Sequence, residues 1–376
     1  MTRETTTPTR VALLATGDEI THGDILNTNA QIIAQKLFRQ GIRPGMHMSV
    51  QDNISEIEQS IIFLLSTHRA LIITGGLGPT SDDLTRYALA KSLNRPLVFD
   101  EIVWRTICER FKLLGYTEVP DSNRQQALFP EGARIISNPQ GTAAGCMILQ
   151  NDQLIFMLPG PPYECLPMVD TLILPTLKKA YTNDMLYYDH WLLFGVSEGK
   201  IAEELDALLK PFNCQTGYRI AYPYLEFKIY SNHRHDFETV IPLIEKTIAP
   251  YFISNGKQTA AEMLQDQLEK LPFTLSLHDT ATGGLLESIL KTTKTYHKID
   301  FTEEKQAIVK ITGLTEYWEE KESDTTALNI FFSHHTYQKK VNTTIPLRGR
   351  STRVKNYAVE LICHEINQFL TTNDIN

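Results

Sequence analysis

Leu71-Ile72-Ile73-Thr74-Gly75-Gly76-Leu77-Gly78-Pro79-Thr80-Ser81-Asp82-Asp83-Leu84-Thr85 runs from a strand-like apolar segment directly into three glycines within four positions. Glycine has no Cβ, so the backbone at Gly75, Gly76 and Gly78 can approach an anion closely. Thr80 or Ser81 is placed to cap a following helix, and Thr80-x-x-Asp83 has capping-box spacing with Asp in place of Glu. Together these predict a phosphate-binding corner where a strand feeds a helix in an α/β fold. Asp82 and Asp83 would repel a phosphate unless a divalent cation lies between carboxylate and phosphate oxygens. Glycines plus acids therefore point to metal-assisted work on a phosphorylated ligand. A tight turn with an acidic helix start, favoured by the helix dipole, accounts for the same letters.

Reading outward, Val11–Ala15 is a short buried-strand run followed by Gly17-Asp18-Glu19. Asn27 or Thr28 caps a helix ending near Gln40, with Gly41 where a helix-terminating glycine belongs. Met46–Val50 reads as a strand, and Asn53-x-x-Glu56 opens a helix to about Thr67 with Ile54, Ile57, Ile61 and Leu64 on one face. Ala70–Thr74 is the third strand, and helices are expected over 83–93 and 101–114. Cys146–Leu149, Asn151-Asp152 and Leu154–Leu158 form a hairpin, and Pro159-Gly160-Pro161-Pro162 enters another helix. Alternating strands and helices predict a parallel sheet covered on both faces.

Ligands in such sheets bind outside the carboxyl ends of the strands. The loops after Ala15, Thr74 and Leu158 all follow strands, so Asp18, Glu19, the 75–83 loop and Gly160-Pro161 are expected in one cleft. Gly141-Thr142-Ala143 offers further N–H donors and a hydroxyl, or serves as a turn before the hairpin. Asn27 and Asn29 contact ligand or cap their helix. Arg124 neutralises phosphate or is solvated.

A chain of 376 residues is too long for one core. Its net charge of −8 argues against nonspecific nucleic-acid binding as its main task. The five cysteines are scattered and form no C-x-x-C, which suits reduced thiols in a cytoplasmic protein. Residues 1–10 read as a polar tail without an apolar signal core. No apolar run approaches the roughly 20 residues of a membrane span.

Thr74–Thr85 closely resembles the signature of the CinA proteins, whose first domain belongs to the molybdopterin-binding, MoaB/MogA-like superfamily. Four further segments agree: Thr16–Glu19 with Gly23–Asn29, Asn123–Ala127, Asn138–Ala143 and Leu158–Glu164. The resemblance implies a three-layer α/β/α domain over 8–178, an α+β KH-like domain over 184–255, and a shortened α/β domain over 260–376. It also implies an ADP-ribose pyrophosphatase activity using Mg²⁺, Mn²⁺ or Co²⁺, and a homodimer. In that chemistry Asp83, with Asp18 or Asp82, would hold the metal and act in catalysis, Asp83 being preferred by its match to the wider superfamily. Gly75, Gly76, Gly78, Thr80, Ser81, Gly141, Thr142, Gly160 and Pro161 would bind phosphate.

The middle segment has no G-x-x-G loop with basic neighbours, so RNA binding does not follow from a KH-like fold. In the last segment, Asp279-Thr280-Ala281-Thr282-Gly283-Gly284 resembles the Ser-Cys-Thr-Gly-Gly start of the family's nicotinamide-mononucleotide amidase domain. Thr280 stands at the nucleophile position and Ala281 follows it, so a degenerate amidase fold without deamidase activity is expected. Two functional readings stand: a metal-dependent nucleotide pyrophosphate hydrolase, and a non-catalytic binder of a phosphorylated pterin or nucleotide that senses or scaffolds in a competence or damage response.

Overall fold

The computed structural model describes residues 10–181, 186–256, 258–302, 307–334, 337–347 and 352–372; the polar tail thus lies almost wholly outside them. The chain divides into two compact units, 1–188 and 189–376. The first unit opens with β1 (Arg10–Thr16), α1 (Asp18–Thr21), α2 (Thr28–Arg39), β2 (Arg43–Val50), α3 (Ile54–Thr67) and β3 (Ala70–Thr74). It continues with α4 (Thr85–Ser92), β4 (Leu97–Phe99), α5 (Glu101–Leu113), β5 (Leu128–Pro130), β6 (Arg134–Ile136), β7 (Gly145–Gln150), β8 (Gln153–Leu158), α6 (Pro162–Met168) and α7 (Leu174–Ala180).

Six strands form one sheet in the order β2-β1-β3-β8-β7-β6. β2, β1, β3 and β8 are parallel. The sheet is nevertheless mixed, because β7 and β6 run antiparallel to their neighbours. The cause is local: Asn151 and Asp152 both take positive φ, 49° and 62°, in a two-residue turn that folds β7 back on β8.

Strand periodicity assigns the two cores. Ala12, Leu14, Leu71 and Ile73 face α3, α4 and α5, whereas Val11, Leu13, Ala70 and Ile72 face α2, α6 and α7. Ile57, Ile61 and Leu64 on α3 are fully buried, and each contributes roughly 1.5–3 kcal/mol of transfer free energy. Asn53 caps α3 through the Ser55 and Glu56 N–H groups, and Asn27 caps α2 through Ala30 N–H. The result is a three-layer α/β/α domain. The short β4–β5 ribbon and the 3₁₀ turn over 121–127 had no legible pattern, being too short for periodicity to register. No helix among the described residues is long and apolar enough to cross a membrane.

The second unit holds two sheets. β9 (Tyr187–Leu193), α8 (Glu198–Leu209), β10 (Gln215–Ala221), β11 (Tyr224–Ser231), α9 (Arg234–Ile248) and β12 (Phe252–Ser254) build a sheet of order β10-β11-β9-β12. Then come α10 (Ala260–Lys270), β13 (Leu275–Asp279), α11 (Leu285–Leu290), β14 (Ile299–Asp300), β15 (Ala307–Gly313), α12 (Thr315–Trp318), β16 (Thr325–His334), β17 (Tyr337–Pro346) and α13 (Arg353–Thr372). Their sheet order is β14-β13-β15-β16-β17. The boundary expected near residue 260 falls inside this unit, with one sheet on either side.

A polar knot joins these halves. The Tyr224 hydroxyl donates to Glu360 on α13, while Ala260 N–H donates to Tyr224 at 2.9 Å and Ala261 N–H to Glu360 at 3.1 Å. Burial pushes the Glu360 carboxyl up despite these donors. The folded chain therefore keeps this proton over a range where the unfolded chain, near pKa 4.3, has lost it. The contribution is present below the unfolded pKa and is lost as pH rises through the folded one. Glu360→Gln removes that ionisation and keeps an acceptor oxygen, so the variant's stability relative to the parent should rise from pH 4 to pH 7. Urea midpoints measured across that range check it; a constant difference would refute the assignment.

Candidate functional site

The glycine loop between β3 and α4 is shaped by its own acid. Asp83 Oδ1 accepts Gly78 N–H at 2.7 Å, and Oδ2 accepts Thr80 N–H at 2.9 Å and the Thr80 hydroxyl at 2.5 Å. Neither Thr80 nor Ser81 caps α4; the N-cap position is Leu84, which makes no side-chain cap, and the helix starts at Thr85. The expected capping box is thus replaced by a carboxylate folded back onto the loop. Gly75 and Gly76 hold φ of 102° and 64°. A Cβ at Gly75 would strike the Thr16 carbonyl, and one at Gly76 the Thr85 hydroxyl, so both positions require glycine. Thr16 and Thr85 hydroxyls meet at 2.8 Å and tie the end of β1 to the start of α4.

Behind the loop lies Arg86, only 2% exposed. Its Nη2 donates to Leu77 O at 2.5 Å, and its Nε and Nη1 have no partner among the described residues. Burial pulls its pKa down to about 10, leaving it protonated at neutral pH. Gln125 Nε2 donates to Thr80 O at 2.8 Å, and Gln126 Nε2 lies 3.4 Å from Leu77 O and 3.3 Å from the Thr142 hydroxyl. These two glutamines, absent from the sequence-derived site, give the Asn123–Ala127 motif its role.

The loop forms the floor of a cleft of about 570 Å³. Of the expected residues, Asn27, Asn29, Gly75, Gly76, Gly78, Asp82, Asp83, Thr142, Gly160 and Pro161 line it. Asn29 Nδ2 donates to Gly160 O at 2.6 Å, and its Oδ1 is buried without a partner among the described residues. Glu19 lines it too, whereas Asp18, Thr80, Ser81 and Gly141 are not in the lining. Nor is Arg124: exposed, its guanidinium lies over Phe99 and Trp104, 4.9 and 5.2 Å from the ring centroids. The aromatic faces hold it there.

Two acids that the sequence did not single out join the site. Asp52 lines the cleft and pairs reciprocally with Asp18: Asp18 N–H donates to Asp52 Oδ2, and Asp52 N–H to Asp18 Oδ1, both at 3.1 Å. Partial burial pushes the Asp52 carboxyl up, and the charges of Asp18, Glu19 and Asp82 add to the shift against the pull of the Asp18 N–H. Glu164, on the first turn of α6, is 8% exposed and accepts Asn138 Nδ2 at 2.6 Å. A Cβ at Gly141 would collide with Glu164, which explains the glycine there.

Among the described residues no three His, Cys, Asp or Glu side chains stand as a preformed metal cage. Asp83 lines the cleft while both of its oxygens accept loop donors. Asp18 and Asp52 each keep one oxygen outside their reciprocal pair, which fits a dication held by one or two carboxylates and completed by ligand phosphate.

The second glycine loop, between β13 and α11, follows a similar plan. Asp279 accepts the Ala281 and Thr282 N–H groups at 2.9 and 3.0 Å and the Thr282 hydroxyl. The Thr280 hydroxyl donates to Ile311 O at 3.2 Å and meets no basic side chain among the described residues. Trp318 covers this loop: its Nε1 donates to Ala281 O at 2.7 Å, and its ring lies 2.8 Å from the Cβ direction of Gly283.

A family model described as "Probable molybdopterin binding domain" matches residues 12–179. A CinA-like protein of Escherichia coli (strain SE11) is 36% identical over 282 residues, covering 74% of this chain and 70% of that protein. A CinA-like protein of Dictyoglomus thermophilum is 32% identical over 292 residues, covering 75% and 70%. Among solved structures, CinA from Thermoplasma acidophilum, of unknown function, is 28% identical with a TM-score of 0.42, covering 46% of this chain and 98% of that one. At the identity and coverage of the two CinA-like relatives the chain belongs to the CinA family, with its residues 12–179 matching the molybdopterin-binding domain model.

Proposed function

We propose that the first domain hydrolyses a nucleotide pyrophosphate of the ADP-ribose type with the help of Mg²⁺, Mn²⁺ or Co²⁺. The observation that carries this reading is the pairing of a glycine floor with an acidic mouth. The N–H groups of Gly76 and Leu77 have no acceptor among the described residues, and the cleft lining contains no Lys or Arg. An anion entering such a cleft needs a partner cation, which Asp18 and Asp52 would share with it. When bound, that dication would neutralise phosphate charge and lower the pKa of an attacking water. Gly76 and Leu77 N–H would stabilise charge growing on a phosphate oxygen. The Asn29 Oδ1 would accept a ligand hydroxyl. Water adds to one phosphorus as the P–O–P bridge breaks, giving AMP and ribose 5-phosphate.

One observation favours a non-catalytic binder of a phosphorylated pterin or nucleotide instead: among the described residues the carboxylates do not gather in threes as a metal cage. Incubation with ADP-ribose and each metal separates the two. AMP release that chelator abolishes supports the hydrolase; binding without turnover supports the binder.

Asp18→Asn and Asp83→Asn should fail differently. The first should lower AMP release at least tenfold with little change in melting temperature. The second puts an amide donor against loop N–H groups, and should cost about 1–3 kcal/mol of stability along with activity. Melting curves and turnover for both variants check this, and a fully stable Asp83→Asn protein would count against the loop assignment.

We also propose that the last segment has lost deamidase activity, since Thr280 lacks a base and Trp318 occupies the approach to its loop. No ammonia should appear from nicotinamide mononucleotide; its release at an enzymatic rate would refute this.

A further inference from the structure

The Leu77–Gly78 peptide of the glycine loop is held from both ends by charged groups. Arg86 Nη2 donates to its oxygen at 2.5 Å, and its N–H donates to Asp83 Oδ1 at 2.7 Å. A trans peptide points its oxygen and its hydrogen in opposite directions. The guanidinium and the carboxylate therefore stand on opposite sides of one peptide unit and fix its tilt. The peptide just before it carries Leu77 N–H, one of the two donors assigned to phosphate above.

The two charged groups are not equally well satisfied. Asp83 accepts three donors, whereas Arg86 makes one hydrogen bond. Its Nε and Nη1 are buried without a partner among the described residues, and no acid pairs with it there. The Arg86 charge reaches the Cys146 thiol, yet burial holds that thiol up at about 12, so it is neutral at pH 7 and compensates nothing. Arg86 is buried and does not line the cleft.

A buried cation without a paired anion costs stability, and an apolar side chain of similar volume is often no worse for the fold. Holding one carbonyl does not require a charge, because a neutral amide also donates; Gln126 Nε2 already lies 3.4 Å from Leu77 O. What the guanidinium adds is a permanent positive charge behind the loop, acting through protein instead of water. We infer that Arg86 is a positioning residue for phosphate: without touching ligand, it fixes the Leu77–Gly78 peptide and sets a cation behind the loop, which raises affinity for a diphosphate and lowers fold stability. This rests on the reading that the cleft takes nucleotide phosphates.

Three variants of the full chain separate charge from bracing. The readouts are melting temperature and calorimetric binding of inorganic pyrophosphate with Mg²⁺ at pH 6, where a buried ammonium is best kept charged. Arg86→Met removes charge and donor but keeps an apolar stem. It should melt at or above the parent and bind pyrophosphate about tenfold more weakly, the scale of one charge acting through protein. Arg86→Gln keeps a donor for Leu77 O without the charge, and should bind as weakly as Arg86→Met. Arg86→Lys returns a cation, and should bind within about threefold of the parent.

Parent-like affinity in Arg86→Gln would overturn the inference, because a neutral brace would then suffice. So would an Arg86→Lys protein that binds no better than Arg86→Gln. An Arg86→Met protein melting well below the parent would overturn it too, since the buried charge would then serve the fold. Failure of the cleft reading appears separately, as a parent that binds no pyrophosphate and releases no AMP from ADP-ribose.

Discussion

The Asp83 carboxylate, accepting three donors from the loop that precedes it, is the constraint on which the functional half of this protein depends. A loop with consecutive glycines at positive φ has high conformational entropy when unfolded. Charge-assisted hydrogen bonds, stronger than neutral ones, offset that cost. The carboxylate thereby fixes the loop before any ligand arrives. It also delays the start of α4 by two residues, so that Thr85 meets Thr16 and the end of β1 is tied to the start of α4.

Charge is layered around that loop. Arg86 sits beneath it, buried and tied to a single carbonyl. Asp18, Glu19 and Asp82 stand toward solvent around Asp52, and their charges add to the upward push that partial burial gives its carboxyl. A buried cation acts through a less polarisable medium than exposed acids, whose field water screens. A buried cation therefore backs the loop while negative charge gathers at the mouth, an order suited to a phosphate accompanied by a dication.

The two glycine loops show how similar local chemistry diverges. Both follow a strand, both use an aspartate to gather loop N–H groups and a threonine hydroxyl, and both lead to a helix. The first borders an open cleft. The second is covered by Trp318, delivered by the Leu314–Glu322 segment and anchored to Ala281 O, with the Lys355 ammonium 5.3 Å from the Trp318 ring. A bulky side chain from a distant stretch of sequence thus separates a candidate site from a packed turn.

Local patterns were legible without coordinates. The buried-strand runs of β1 and β3, the Asn27 and Asn53 caps, the Asn151-Asp152 turn and the glycine loop each follow from neighbouring residues, because capping, turn geometry and strand burial act within a few positions. The family also followed from the motifs. Tertiary structure decided where polar side chains spend their hydrogen bonds. Asp83 turned inward, Arg124 went to Phe99 and Trp104, and Gln125 and Gln126 took up the loop. Asp52 and Glu164 joined the cleft from elements far away in sequence. A carboxylate or guanidinium has several partners of similar strength within reach, and only packing, which sets distance and excludes water, selects among them.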